Sequence, residues 1–75
     1  MTLDQLPIGK CACVVGLSEN CAMRGRLQDL GVMPGGDVRA VMRSPLGDPT
    51  AYLICGAVIA LRREDALCVE VRMLK

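Results

Sequence analysis

The sequence predicts a mainly β protein: one small five-stranded barrel, with a short α-helix after the first strand and a one-turn helix before the last. Three observations carry this expectation. Runs of alternating apolar residues recur at roughly ten-residue intervals, as in small sandwiches and barrels. Helical periodicity occurs once over more than a single turn, between Asn20 and Leu30. Pairs of turn-forming residues separate the runs, and no second domain, repeat or linker interrupts residues 1–75.

Thr2-Leu3-Asp4-Gln5 fits a capping box on a one-turn lid that Pro7 stops. From Lys10 to Leu17 the residues alternate as a first strand, with Cys11, Cys13, Val15 and Leu17 on one side. Asn20 is placed to cap a helix of some three turns in which Met23, Leu27 and Leu30 share a face, with Arg24, Arg26 and Gln28 outward. Gly25 costs such a helix about 1 kcal/mol relative to Ala, so it must lean on tertiary packing. Gly31 supplies the left-handed residue that ends it, and Pro34-Gly35 suits the centre of a type II turn.

Asp37 to Arg43 reads as the second strand, with Val38, Ala40 and Met42 inward. Ser44-Pro45-Leu46-Gly47-Asp48-Pro49 is a loop, Thr50 to Cys55 the third strand, and Gly56 the turn into a fourth ending at Leu61. Arg62 to Ala66 forms a polar helical turn, and Val69 and Val71 face inward on the last strand.

Composition narrows the function. Hydrophobic residues make up 52% of the chain against 23% charged, which excludes a disordered protein and leaves more apolar surface than a lone barrel of this size hides. Net charge is +1, and Tyr52 is the single aromatic residue, so both the field and the stacking rings of a nucleic-acid binder are missing. The acidic residue in Met1-Thr2-Leu3-Asp4 argues against an export signal, and the uncharged stretch from Ala51 to Leu61 is far short of the roughly 20 residues of a spanning helix. The expected location is cytoplasmic, without membrane insertion.

Catalytic constellations are scarce. The chain contains no His, and Gly35-Gly36 lacks the downstream Lys and Ser or Thr of a phosphate loop, so an enzyme is not expected. Five cysteines, an odd number, read as reduced thiols filling the core rather than as a disulfide framework. The sharper reading is soft-metal binding by Cys11 and Cys13. Their sulfurs lie about 7 Å apart along one strand face, awkward for one ion without help from Cys21, Cys55 or Cys68. Arg62 and Arg63 read as a solvated turn before they read as an arginine finger, and Met23, Met33 and Met42 as core gap-fillers.

The third and fourth strands carry an unusual outer face. If Tyr52, Ile54, Ile59 and Leu61 fill the barrel, alternation turns Ala51, Leu53, Cys55 and Val58 outward, where a monomer usually places charge. The ribbon is expected to mediate self-association or docking.

Arg26-Leu27-Gln28-Asp29-Leu30-Gly31-Val32-Met33-Pro34-Gly35 resembles the R-L-x-x-L-G-h-x-P-G signature of the FeoA family, where h is apolar. Ser44-Pro45-Leu46-Gly47-Asp48-Pro49 is similar to its P-L-G-D-P loop, and Gly56-x-x-Ile59-Ala60-Leu61-Arg62-Arg63-x-x-Ala66 to its G-x-x-h-A-L-R-x-x-x-A segment. Leu3-x-x-Leu6-Pro7-x-Gly9 matches its usual opening, so the resemblance covers nearly the whole chain.

The resemblance implies a Src-homology-3-like barrel acting in the cytosol on FeoB, the permease of ferrous-iron uptake, either on its GTP-binding domain or on its assembly. It implies no required cofactor, although Fe(II) or another transition metal could be carried. Leu27, Leu30, Gly31, Pro34, Gly35, Pro45, Pro49, Gly56 and Leu61 are expected to be structural. Leu46 and Gly47 at the loop tip, the outward Ala51, Leu53 and Val58, and Arg24 are the expected partner contacts. The five cysteines and the uncharged third strand depart from the family pattern. A proline-rich ligand groove needs several aromatic rings, and this chain has one. The competing function is a thiol-based metal carrier or sensor. Metal-dependent repressors share the barrel, but they also need a DNA-reading domain.

Overall fold

A computed structural model describes residues 1–74. A single 3-10 turn spans Leu3–Gln5. It is followed by β1 (Cys11–Leu17), α1 (Arg24–Asp29), β2 (Asp37–Arg43), β3 (Thr50–Ile54), β4 (Ala57–Leu61), α2 (Arg63–Ala66) and β5 (Val69–Met73). The strands form one antiparallel sheet in the order β4-β3-β2-β1-β5, wrapped round the core. Among the described residues no ladder joins β4 to β5, so the barrel stays open on that side.

The core forms because alternate residues of the strands converge: Ala12 and Val14, Val38 and Ala40, Tyr52 and Ile54, Leu61, and Val69 and Val71 are all buried. Leu3 and Leu6 cover it from the amino-terminal turn, and Leu27 and Val32 from α1 and its exit. The Thr2 N–H donates to the Gln5 side chain at 3.0 Å, one half of the expected capping box. Gly31, at φ +103°, ends α1 as its sequence position predicts. The turn over Pro34-Gly35 closes through a Gly36 N–H to Met33 C=O bond of 3.0 Å, with Gly35 at φ +88°.

Two β-bulges correct the alternation reading. The partners of Ala40 and Met42 are the successive residues Tyr52 and Ala51, so Val41 is extra in β2. Facing therefore inverts, and Met42, expected inside, is 62% exposed. In β1 the partners of Val14 and Gly16 are the successive Val71 and Glu70, and beyond the bulge Leu17 turns toward the core, leaving the face of Cys11 and Cys13.

The helix is also shorter than expected. α1 begins at Arg24 behind Met23, and Asn20 stands in the preceding turn, where the Asn20 N–H donates to the Ser18 hydroxyl. Gly25 in the first turn and a single fully buried residue, Leu27, leave little to propagate a longer helix. β3 ends at Ile54, because Cys55 adopts φ +50° in the turn. The cysteines are free, but they are not uniformly core-fillers: Cys21 is buried, Cys11, Cys13 and Cys68 are half-buried, and Cys55 is exposed. No helix is long and apolar enough to cross a membrane among the described residues.

Candidate functional site

The outer face of the sheet is assembled by register. Leu53 pairs with Arg39 on one side and Val58 on the other, and Ala51 lies between Met42 and Ala60. Two adjacent cross-strand rows, Met42–Ala51–Ala60 and Leu53–Val58, thus present apolar side chains outward, with Val58 63% exposed. Arg39 borders the patch, and a cleft of about 370 Å³ opens beside it between Cys11, Arg39, Leu53 and Cys55. The expected outward hairpin exists, and Met42 belongs to it. Alternation alone hid Met42, because the bulge at Val41 has no signature in a run of Val, Arg, Ala and Met.

The loop joining β2 to β3 leaves the sheet at the Met42–Ala51 end, beyond the Arg43–Thr50 pair. Its tip residue Leu46 is 94% exposed, the most exposed large apolar side chain described. The loop is nonetheless braced. The Gly47 N–H donates to Ser44 C=O at 2.8 Å with Gly47 at φ +88°, and the Ser44 N–H donates to Pro49 C=O at 3.0 Å. Asp48 reaches across to accept the Arg63 N–H of α2 at 2.8 Å. Arg62, the residue before α2, offers that helix no side-chain cap, so the loop carboxylate takes the cap's place.

Behind the loop a polar cleft of about 270 Å³ is lined by Asp4, Arg43, Gly47, Thr50, Tyr52 and Arg63. The Arg63 Nε lies 3.8 Å from the Asp4 carboxylate, and the Tyr52 hydroxyl donates to Leu3 C=O at 3.4 Å. Burial pushes the Tyr52 phenol above its usual range, outweighing its hydrogen bond with Thr50. The Cys68 thiol is likewise pushed up, to about 11, by desolvation and by its contact with the Cys21 thiol.

Not every expected residue joins this surface. Arg24 is exposed on α1, separate from the hairpin rows. Cys11 and Cys13 lie half-buried on β1, across the ladder from Arg39 and Asp37. No three His, Cys, Asp or Glu side chains converge to hold a metal among the described residues. Of the residues expected to be structural, Leu27 and Leu61 are buried, and Gly31, Gly35 and Gly56 all take positive φ.

Comparison with known proteins places these features in a family. The FeoA domain model matches residues 1–73. The chain belongs to the FeoA domain family. A Porphyromonas gingivalis protein described as an Fe(2+) transport protein A/Fe(2+) transporter FeoB fusion is 34% identical over 74 residues, which span 99% of this chain and 9% of that relative. The solution structure of the Chlorobium tepidum FeoA superposes with a TM-score of 0.91 at 33% identity, covering 100% of this chain and 71% of that one. The crystal structure of Stenotrophomonas maltophilia FeoA complexed with zinc, described as a prokaryotic SH3 domain protein, gives 0.85 at 34% identity, covering 96% and 89%. The FeoA fold of this chain is accordingly Src-homology-3-like. A manganese-dependent transcriptional repressor shares the fold alone, with a TM-score of 0.88 at 20% identity over 99% of this chain and 36% of the repressor.

Proposed function

We propose that this FeoA-family chain is a noncatalytic accessory protein of ferrous-iron uptake that docks on the cytosolic part of a FeoB-type permease. The contact surface is the Leu46–Gly47 tip together with the outward Ala51, Leu53 and Val58, joined by Met42. It would act in the cytoplasm, peripheral to the inner membrane through that partner, and bias either the permease's nucleotide turnover or its assembly. Arg24 lies at the margin of this reading.

The observation that carries it is the braced exposure of Leu46. A large apolar residue held out to solvent on a loop anchored through Asp48 loses little conformational entropy on binding, so its burial is retained as affinity. The fusion of FeoA and FeoB named in the P. gingivalis relative supports the choice of partner. With a net charge of +1, recognition should rest on apolar burial and depend weakly on salt.

The test is a pull-down of reduced, metal-free protein against the permease's cytosolic domain, with Leu46→Asp and Leu53→Lys as variants and a repeat after anaerobic Fe(II) loading. Metal-independent binding that either variant weakens by about tenfold or more, the loss of one buried Leu, supports docking. Absence of binding, with about one iron held per chain and released on Cys11→Ser or Cys13→Ser, would replace it with a metal carrier.

A further inference from the structure

Cys55 at φ +50° and Gly56 at φ +80° form a two-residue turn with both central residues left-handed, the conformation of a type I′ hairpin. Such a turn makes its flanking residues, Ile54 and Ala57, a hydrogen-bonded pair. Hydrogen-bonded pairs then recur at alternate positions, Tyr52–Ile59 and Thr50–Leu61. The N–H and C=O groups of Val58 and Ala60 consequently point away from β3, toward the edge of the sheet.

The two edges are treated differently. The β5 edge is covered, because Thr2 bridges to Glu70 and the Val71 N–H donates to Met1 C=O at 2.8 Å. The β4 edge meets no further strand among the described residues. A cleft of about 440 Å³ lies beside it, lined by Met23, Arg26 and Leu30 from α1 and its two caps, by Ile59, Ala60 and Leu61, and by the charged Glu64 and Asp65 of α2. Natural edge strands are commonly blunted by Lys, Pro or a bulge. β4 has none: it reads Ala57-Val58-Ile59-Ala60-Leu61, uncharged, in unbroken register with β3.

We propose that β4 is a self-association edge, pairing antiparallel with β4 of a second copy about a two-fold axis at Ile59. In that register Val58 of each copy lies opposite Ala60 of the other, and the outward groups exchange four N–H to C=O bonds. Charge selects this arrangement. Arg62 and Arg63 follow β4 directly, so parallel pairing would set the guanidinium groups side by side, whereas the antiparallel register puts Arg62 opposite the uncharged Gly56. The strand is thus complementary to itself. A contact five residues long is of the small, transient class, so the dimer populates only at high concentration.

The test combines sedimentation equilibrium of the full chain, from micromolar to millimolar, with amide hydrogen exchange at both ends of that range. The expected result is a dimer fraction that rises with concentration, together with Val58 and Ala60 amides that exchange about tenfold or more slowly in the dimer. Ala60→Pro removes an outward N–H without touching a β3 bond and should leave a folded monomer; Ala60→Lys should do the same and serves if the proline variant does not fold. A monomer throughout the range would overturn the proposal. So would a dimer that survives both variants, or Val58 and Ala60 amides protected only when the permease's cytosolic domain is added. Permease docking is read separately through Leu46 and Leu53, so either idea can fail alone.

Discussion

The Asp48 carboxylate accepts the backbone N–H of Arg63 at 2.8 Å, so a residue of the β2–β3 loop completes the first turn of a helix fifteen positions on. Loop and helix are one mechanical unit, and the exposed Leu46 rides on it. Asp48→Ala should cost about 1 kcal/mol, the ordinary worth of a helix cap, and weaken permease docking although Asp48 need touch no partner. Urea denaturation and the pull-down check both, and an unchanged midpoint with unchanged binding would mean the brace is idle.

Gly31 tolerates no side chain. At φ +103°, a Cβ built there would lie 2.5 Å from the Cys55 sulfur and 3.1 Å from its Cβ. Gly31→Ala should destabilise by roughly 2 kcal/mol or more, from left-handed strain plus the clash. Adding Cys55→Ala removes the sulfur but not the strain, so the double variant should recover part of the loss. A thermodynamic cycle that shows no coupling would locate the whole cost in the backbone.

The cysteines should separate by environment. Cys68, with its thiol pushed up to about 11, holds little thiolate at pH 8, while Cys55 is exposed at a turn. Limited iodoacetamide treatment of the folded protein should modify Cys55 well before Cys68, as read by peptide mass spectrometry. Equal labelling would show that the burial around Cys68 opens readily.

Tyr52 is the single aromatic residue, so its phenol titration is directly visible near 295 nm. Its pKa is raised in the folded state, chiefly by burial, so the native protein holds this proton more tightly than the unfolded chain. That contribution to stability is fully present below the unfolded value of about 10 and is lost as pH rises through the folded one. Absorbance should therefore begin to rise above the pH typical of free tyrosine and coincide with loss of structure. Titration at the free value in intact protein would contradict the burial.

Much of this protein is legible in its residues, because the signals are local. Alternation gave the inward Tyr52, Ile54, Val69 and Val71, and glycine placement gave the turns at Gly31, Gly35 and Gly56. Bulges are not local signals. Nothing in Val38-Arg39-Ala40-Val41-Met42 shows that Val41 is surplus, since the surplus is defined by the partner strand. The same holds for Leu17 in β1. The outer hairpin was readable because β3 and β4 pair without a bulge, whereas Met42 and the bond from Asp48 to α2 depend on distant partners. The length of α1 is not legible for a related reason: periodicity marks the buried face of a helix, not the residue at which tertiary packing permits it to begin.

The surplus residue in β2 also bears on how relatives should be aligned. Counting forward from Gly36 gives one parity for Met42, and counting back from the Ser44 loop gives the other; only the second matches its exposure. A homologue lacking the surplus residue would keep these side chains on the same sides, but an ungapped alignment forward from Gly36 would set its outward residues against inward ones over half a strand. Gap placement at Val41 therefore decides which side chains of such a relative are correctly assigned to its outer face.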